Sequence, residues 1–415
     1  MLLVLSMQFD MHDQGIHLEI TSNCNSRCLD CQRFVQGTDE INPFIEVGSA
    51  GLLDKMFIDN IFDTIVSQNA RYINFTGTYG DFILHPDCHT IVDKIADNVN
   101  KFSQYRLKNK LTEKLRFMCE TNGGLHDEKW WTSLCKIIKQ KYDKTSVIVF
   151  ALDGVDDDTH QLYRRGVNFD KVIENAKTCI ASGVRCVWSF IAFEHNEHQI
   201  EKAKAMAKQL GFHKFKIRRS RLRHNTNKIK IDNLSQKKKN INKEDIKTIS
   251  QYAELVIPED KQIGSEYPNK PWYKRSVKEN INSTEIECEW FNKRQISIDY
   301  TGRVWQCCYF STFYHYPIQP HESKEYDWIS DRRDYERLSH YENQYADDWN
   351  NVKFHTLSAI MDHRFFTNDL NKSFDNTTFD KKFPRIVRCG KHCGSETRSR
   401  DEKLMQVNKQ LESIS

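Results

Sequence analysis

No stretch of the 415 residues approaches the roughly eighteen consecutive apolar residues of a membrane-spanning helix, so no span is expected. The segment from Met1 to Asp10 holds only a short apolar run without a basic flank, which argues against a secretory signal peptide. An excess of one charge is also missing, since 61 Lys and Arg face 57 Asp and Glu, leaving +4. A chain so nearly balanced offers no electrostatic case for a nucleic acid or a membrane surface as partner. There is no internal repeat, and an apolar share of 39% excludes wholesale disorder. The length suits one large domain with a smaller one beside it. A cytoplasmic protein with reduced thiols is expected.

Cysteine is plentiful, with 13 in the chain. That is too sparse for a disulfide-stapled scaffold, and clustered thiols in a reducing compartment point to metal ligation or catalysis. Cys24, Cys28 and Cys31 form C-x3-C-x2-C. Cys288 and Cys307 form C-x13-G-x4-C around Gly302, Cys308 follows directly, and Cys389 and Cys393 form C-x3-C. The other cysteines, at 88, 119, 135, 179 and 186, fall singly in apolar or helical stretches and are expected to pack as small hydrophobes.

Three thiolates on a short loop can hold three corners of a cubane cluster and leave one iron open. A structural zinc site wants four ligands. His17 lies in an expected strand and is a poor fourth, although zinc stays an alternative on spacing alone.

Around this loop, strand-like and helical runs alternate. Strands are expected at 16–21, 72–76, 115–121, 146–152, 184–193 and 214–218. A helical period joins Leu52 to Val66, and helices are expected from Asp87, over 170–181 and over about 197–210. Such alternation implies a parallel sheet curling into an open barrel, with functional residues after the strand C-termini. The cysteine loop, Asp81, Asn122 and Asp153 all fall at such ends.

With these elements in place, residues 16–220 resemble the core of a radical S-adenosylmethionine (SAM) enzyme, an α/β fold built as a partial (β/α)6 barrel. The matching stretches are the Cys24-Cys28-Cys31 loop, Gly77-Thr-Tyr-Gly-Asp81, Thr121-Asn-Gly-Gly124, Leu152-Asp-Gly154, and the segment from Tyr163-Arg-Arg-Gly166 to Phe169. The resemblance implies that Cys24, Cys28 and Cys31 ligate a 4Fe-4S cluster whose open iron chelates SAM. It further implies that Asp81 accepts hydrogen bonds from the SAM amino group, that Arg164 or Arg165 meets its carboxylate, that the strand end at Asp153 meets the ribose, and that Gly80 and Asn122 also line the cofactor site. Ordinary loop capping is the alternative role for these polar residues. Two departures stand out. Asp30 occupies the place before the third cysteine that is usually aromatic, and Tyr79-Gly-Asp-Phe82 replaces the usual Gly-Gly-Glu-Pro.

Cys288, Cys307, Cys389 and Cys393 number enough to close a second site, with Gly302 turning a hairpin between 295–299 and 304–307. This is similar to the twitch domain, a short form of the SPASM extension, and implies one auxiliary 4Fe-4S cluster. Cys308 is the alternative to Cys307, and a zinc ribbon is the alternative to the cluster. His392 could serve as a donor from outside the ligand set.

The expected organisation is a barrel over 1–220, a polar bridge over 221–285 with a short helix near 244–255, a twitch-type domain of hairpin and helix over 286–400, and a tail over 401–415. The resemblance implies an enzyme that cleaves SAM reductively and takes hydrogen from a peptide or sugar-like small molecule. It would be fed by a reductant such as flavodoxin or ferredoxin, with the auxiliary cluster assisting. A zinc-held binding or scaffold protein is the rival from another class.

Overall fold

The computed structural model describes residues 15–29, 31–34, 40–193, 195–219, 285–315, 343–374, 386, 389–390 and 393. Asp30, His392, the tail 401–415, nearly all of the polar bridge and much of the expected domain over 286–400 lie outside the described residues.

Six strands run parallel in the expected alternation: β1 (Gly15–Leu18), β2 (Tyr72–Phe75), β3 (Arg116–Thr121), β4 (Val147–Ala151), β5 (Arg185–Ala192) and β6 (Lys214–Arg219). The C-terminal region adds β7 (Gln295–Ile298), parallel to β1, and β8 (Val304–Trp305), antiparallel to β7. Among the described residues the sheet has 8 strands in the order β6-β5-β4-β3-β2-β1-β7-β8.

Alternation along each strand decides which face is covered. Ile16 and Leu18 are fully buried while His17 between them is not, and Phe117, Cys119 and Thr121 are buried while Met118 and Glu120 are partly open. The apolar face lies under the helices Cys88–Asn100, Glu128–Lys141, Phe169–Ala181 and Ile200–Gln209, all of which contribute to one core. The opposite face carries His17, Asn74, Glu120 and Arg218. Side-chain caps start two of these helices: Asp127 accepts from the Trp130 amide and Asn168 from that of Lys171. Gly183, at φ +78, follows the end of Phe169–Ala181.

Two local expectations change. The helical period from Leu52 to Val66 breaks into the short turns Lys55–Phe57, Ile58–Ile61 and Thr64–Asn69, because Asp54 and Asp63 cap new starts. The helix Glu128–Lys141 between β3 and β4 was not anticipated; it buries Trp131, Leu134, Cys135 and Ile138 on one face.

The hairpin β7–β8 forms around Gly302, at φ +86, a conformation that favours glycine. Asp299 Oδ1 accepts from the amides of Thr301 and Arg303 and its Oδ2 from Trp305 Nε1, tying the turn from inside. A two-stranded hairpin is marginal alone. Here β7 borrows its second ladder from β1, and Ile296, Ile298, Val304 and Trp305 join the barrel's own core. The C-terminal hairpin is thus a continuation of the barrel sheet. Among the described residues no helix is long and apolar enough to cross a membrane.

Candidate functional site

The strand ends gather the residues singled out from sequence. Cys24, Cys28 and Cys31 sit half-buried on the loop after β1. This loop is held by two neighbouring segments, one at Asp81 and one at 163–165. Asp81 donates its amide to Asn23 O at 2.8 Å, Arg27 donates its amide to Arg165 O at 2.7 Å, and Leu29 its amide to Tyr163 O at 3.2 Å. Gly80 lies so close to β1's exit that a Cβ there would stand 1.9 Å from Thr21 O.

Polar groups converge on the sulfurs. The Ser26 amide is 3.4 Å from Cys24 Sγ, and Ser26 Oγ is 2.9 Å from Cys28 Sγ. Asn122 Nδ2 lies 3.7 Å from Cys24 Sγ and donates to Asn25 Oδ1 at 2.8 Å. Arg164 Nη1 is 3.6 Å from Cys28 Sγ, and its Nε donates to Asp153 Oδ2 at 2.7 Å. Of the two candidate arginines, Arg164 brings its guanidinium here, whereas Arg165 meets the cysteine loop through its carbonyl. Burial, with the Asp81 charge behind it, pushes the Cys24 thiol well above its usual range. A bound metal offsets that cost by holding the thiolate.

The acids are enclosed. Asp81 Oδ2 accepts from the Asn122 amide at 2.6 Å and from Thr121 Oγ1 at 3.0 Å; burial raises its pKa to about 6 against these bonds. Asp153 is fully buried, and burial raises its pKa too, opposed by Arg164 and by the Ile191 amide at 2.5 Å. Asn196, also fully buried, donates to Asp153 O at 3.1 Å and fixes this strand end to the loop after β5.

Two charged residues at the site carried no motif. Arg33, 5% exposed, reaches Tyr79 O at 3.4 Å and feels Cys24, Cys31 and Glu19. Glu19, 6% exposed, accepts from the amides of Tyr79 and Gly80. The signal for Glu19 is its place, an acid one step past a strand and before the cysteine loop.

The C-terminal cysteines also meet. A hydrogen bond shared by Cys288 and Cys393 lowers the Cys288 thiol and raises that of Cys393. Cys307 lies close enough to feel Cys288, Cys308 and Cys389, and burial raises it. Cys307 is buried, whereas Cys308 is partly open at the start of the helix Cys308–His315. The five remaining cysteines are all buried, as expected of packing residues.

Among the described residues, no three or more His, Cys, Asp or Glu are set closely enough to hold a single metal ion. A cubane makes no such demand, because each thiolate binds a different iron. The Cys24-Cys28-Cys31 loop fits that requirement, with N–H donors already facing two of its sulfurs.

A loop of three thiolates after β1 thus meets acids and an arginine from neighbouring strand ends at one edge of the parallel sheet. Residues 18–207 match the model of the Radical SAM superfamily, so the chain carries a radical SAM domain. That domain implies an enzyme using a 4Fe-4S cluster and SAM. Among solved structures, Streptococcus suis SuiB bound to S-adenosylmethionine is similar at 13% identity and TM-score 0.42, covering 77% of this chain and 66% of that one. The chain thus spans just under two thirds of SuiB's length. Native anSMEcpe with bound AdoMet is similar at 12% identity and TM-score 0.45, covering 96% of this chain and 100% of that one. No curated protein matches the chain.

Proposed function

We propose that Cys24, Cys28 and Cys31 hold a 4Fe-4S cluster beside a SAM site, and that the enzyme cleaves SAM reductively to take hydrogen from a peptide or sugar-like small molecule. The observation that carries the reading is the meeting of Asn122 and Arg164, from two other strand ends, at the sulfurs of Cys24 and Cys28. When bound, the cluster supplies the electron that splits the sulfur–C5′ bond of SAM into methionine and a 5′-deoxyadenosyl radical.

The chain's own residues bind and orient. Arg164, beside Cys28 and anchored by Asp153, offers the cation for a carboxylate. Asp81 is largely ionised above neutral pH and serves an ammonium group, while Thr121 and Asn122 fix its orientation. Gly80 keeps that loop pressed against the cysteine loop. Asn122 steadies Cys24 through its amide, and Asp153 marks the ribose side of the pocket. Cys288, Cys307, Cys389 and Cys393 would hold an auxiliary 4Fe-4S cluster that assists substrate binding or oxidation. The external electron donor would be a flavodoxin or ferredoxin in the cytoplasm.

The test is anaerobic reconstitution followed by dithionite reduction with SAM. Wild-type chain is expected to release 5′-deoxyadenosine, and Cys28→Ala to lose both that activity and the iron of one cluster. Full activity in Cys28→Ala, or a colourless chain holding stoichiometric zinc, would sink the reading.

A further inference from the structure

Glu19 is an acid that the sequence motifs do not explain. It stands one residue past β1, nearly sealed from solvent, and its partners are backbone amides. Its Oε1 accepts from Tyr79 N at 2.6 Å and Gly80 N at 3.1 Å, with the Thr78 amide alongside. Its own amide donates to Ile298 O on β7 at 2.9 Å. Burying a carboxyl costs stability unless hydrogen bonds compensate, so packing alone would favour an apolar side chain here.

The carboxyl acts on a loop that has little room. A Cβ on Gly77 would stand 1.6 Å from Gly80 O, and one on Gly80 would meet Thr21 O. With the Tyr79 N–H turned to Glu19, the trans peptide turns the Thr78 carbonyl the other way. The next carbonyl, of Tyr79, faces Arg33. The loop so held delivers the Asp81 amide to Asn23 O and the Asp81 carboxylate to Thr121 and Asn122.

We propose that Glu19 is a positioning residue for SAM binding: its carboxyl holds the loop 77–81 in the shape that sets Asp81 against the cysteine loop. Glu19 works through Asp81 rather than by touching a sulfur. The inference rests on the SAM-cleaving reading above.

The test uses three full-length variants: Glu19→Ala, Glu19→Gln and Val99→Ala. Val99 is fully buried in the helix Cys88–Asn100, so its truncation loosens the domain without touching the loop. Amide hydrogen exchange is followed in the iron-free chain. SAM affinity is measured by equilibrium dialysis, and KM and kcat for 5′-deoxyadenosine release are measured after reconstitution. In Glu19→Ala the amides of Tyr79 and Gly80 should exchange at least about tenfold faster. SAM affinity should weaken about tenfold or more, with kcat at saturating SAM held within about threefold. Glu19→Gln should restore both, because its carbonyl accepts the same bonds. Val99→Ala should lower the thermal midpoint and leave SAM affinity in place.

An affinity in Glu19→Ala within about twofold of wild type would overturn the proposal. So would a Val99→Ala variant that weakens SAM equally. Wild-type chain that takes up no SAM would remove the parent reading and this one together. Normal wild-type binding with an indifferent Glu19→Ala would sink this inference alone.

Discussion

At the residue scale, burial sets the charge of the acids, and Glu19 shows the effect most clearly. Burial raises its pKa from 4.5 to about 8, with the amides of Tyr79, Gly80 and Thr78 pulling the other way. Between those two values the folded chain keeps a proton that the unfolded chain has released. Stability from this group is therefore present at low pH and lost as pH rises through the folded value. Its share of the slope approaches about 1.4 kcal/mol per pH unit across that window. Urea midpoints taken from pH 5 to 8 should fall more steeply for wild type than for Glu19→Gln, which has nothing to titrate there. Parallel slopes would show that Glu19 does not titrate in this range. Such a residue was hard to read from sequence. Cys24, Cys28 and Cys31 announce themselves by spacing, and Asp81, Asn122 and Asp153 by turn residues at strand ends. Glu19 and Arg33 have neither signal, because their meaning lies in amides and carbonyls contributed by another loop.

At the element scale, all eight strands of the described sheet fall within or next to runs expected as strands or as the arms of the hairpin around Gly302. The helix Glu128–Lys141 was not anticipated, although Trp131, Leu134, Cys135 and Ile138 fall on one helical face. Its partners explain its worth: Trp131 packs on Phe150 of β4 at 5.5 Å between ring centroids. Leu134, fully buried in the core, should cost about 2–5 kcal/mol when cut to alanine. Lys136, exposed on the same helix, should change stability by no more than about 0.5 kcal/mol. Denaturant titration of Leu134→Ala and Lys136→Ala measures both, and equal losses would contradict the assigned faces. The broken helix over 52–66 teaches the complementary lesson. A helical period persists across short turns, whereas the caps at Asp54 and Asp63 decide where each turn begins.

At the scale of the whole molecule, one sheet links the loop of the first cysteine group to the hairpin that Cys288 and Cys307 flank. The cysteine loop leaves β1, and β7 of the C-terminal hairpin pairs along the free side of that same strand. Two of the second group flank the hairpin, Cys288 ahead of β7 and Cys307 just past β8. If each group holds a cubane, reconstituted chain should carry about eight irons. Cys393→Ala should then keep about four irons and still release 5′-deoxyadenosine, because the site after β1 is untouched. Iron analysis and product assay together check this, and a Cys393→Ala chain with unchanged iron would remove Cys393 from the ligand set.

By itself the sequence determined the class of chemistry and the order of elements. Thiol spacing is a local property, and so is the alternation of apolar residues that separates a strand from a helix. Only the tertiary structure decided which arginine enters the site, since Arg164 and Arg165 are neighbours in sequence and diverge only through the bend after the helix Asp157–Tyr163. It alone joined the hairpin to the barrel, because ladder partners more than 270 residues apart leave no trace in either segment (Gly15 opposite Gln295). It alone also buried Glu19 beneath loop 77–81, where desolvation and two amides give an ordinary acid its place in the site.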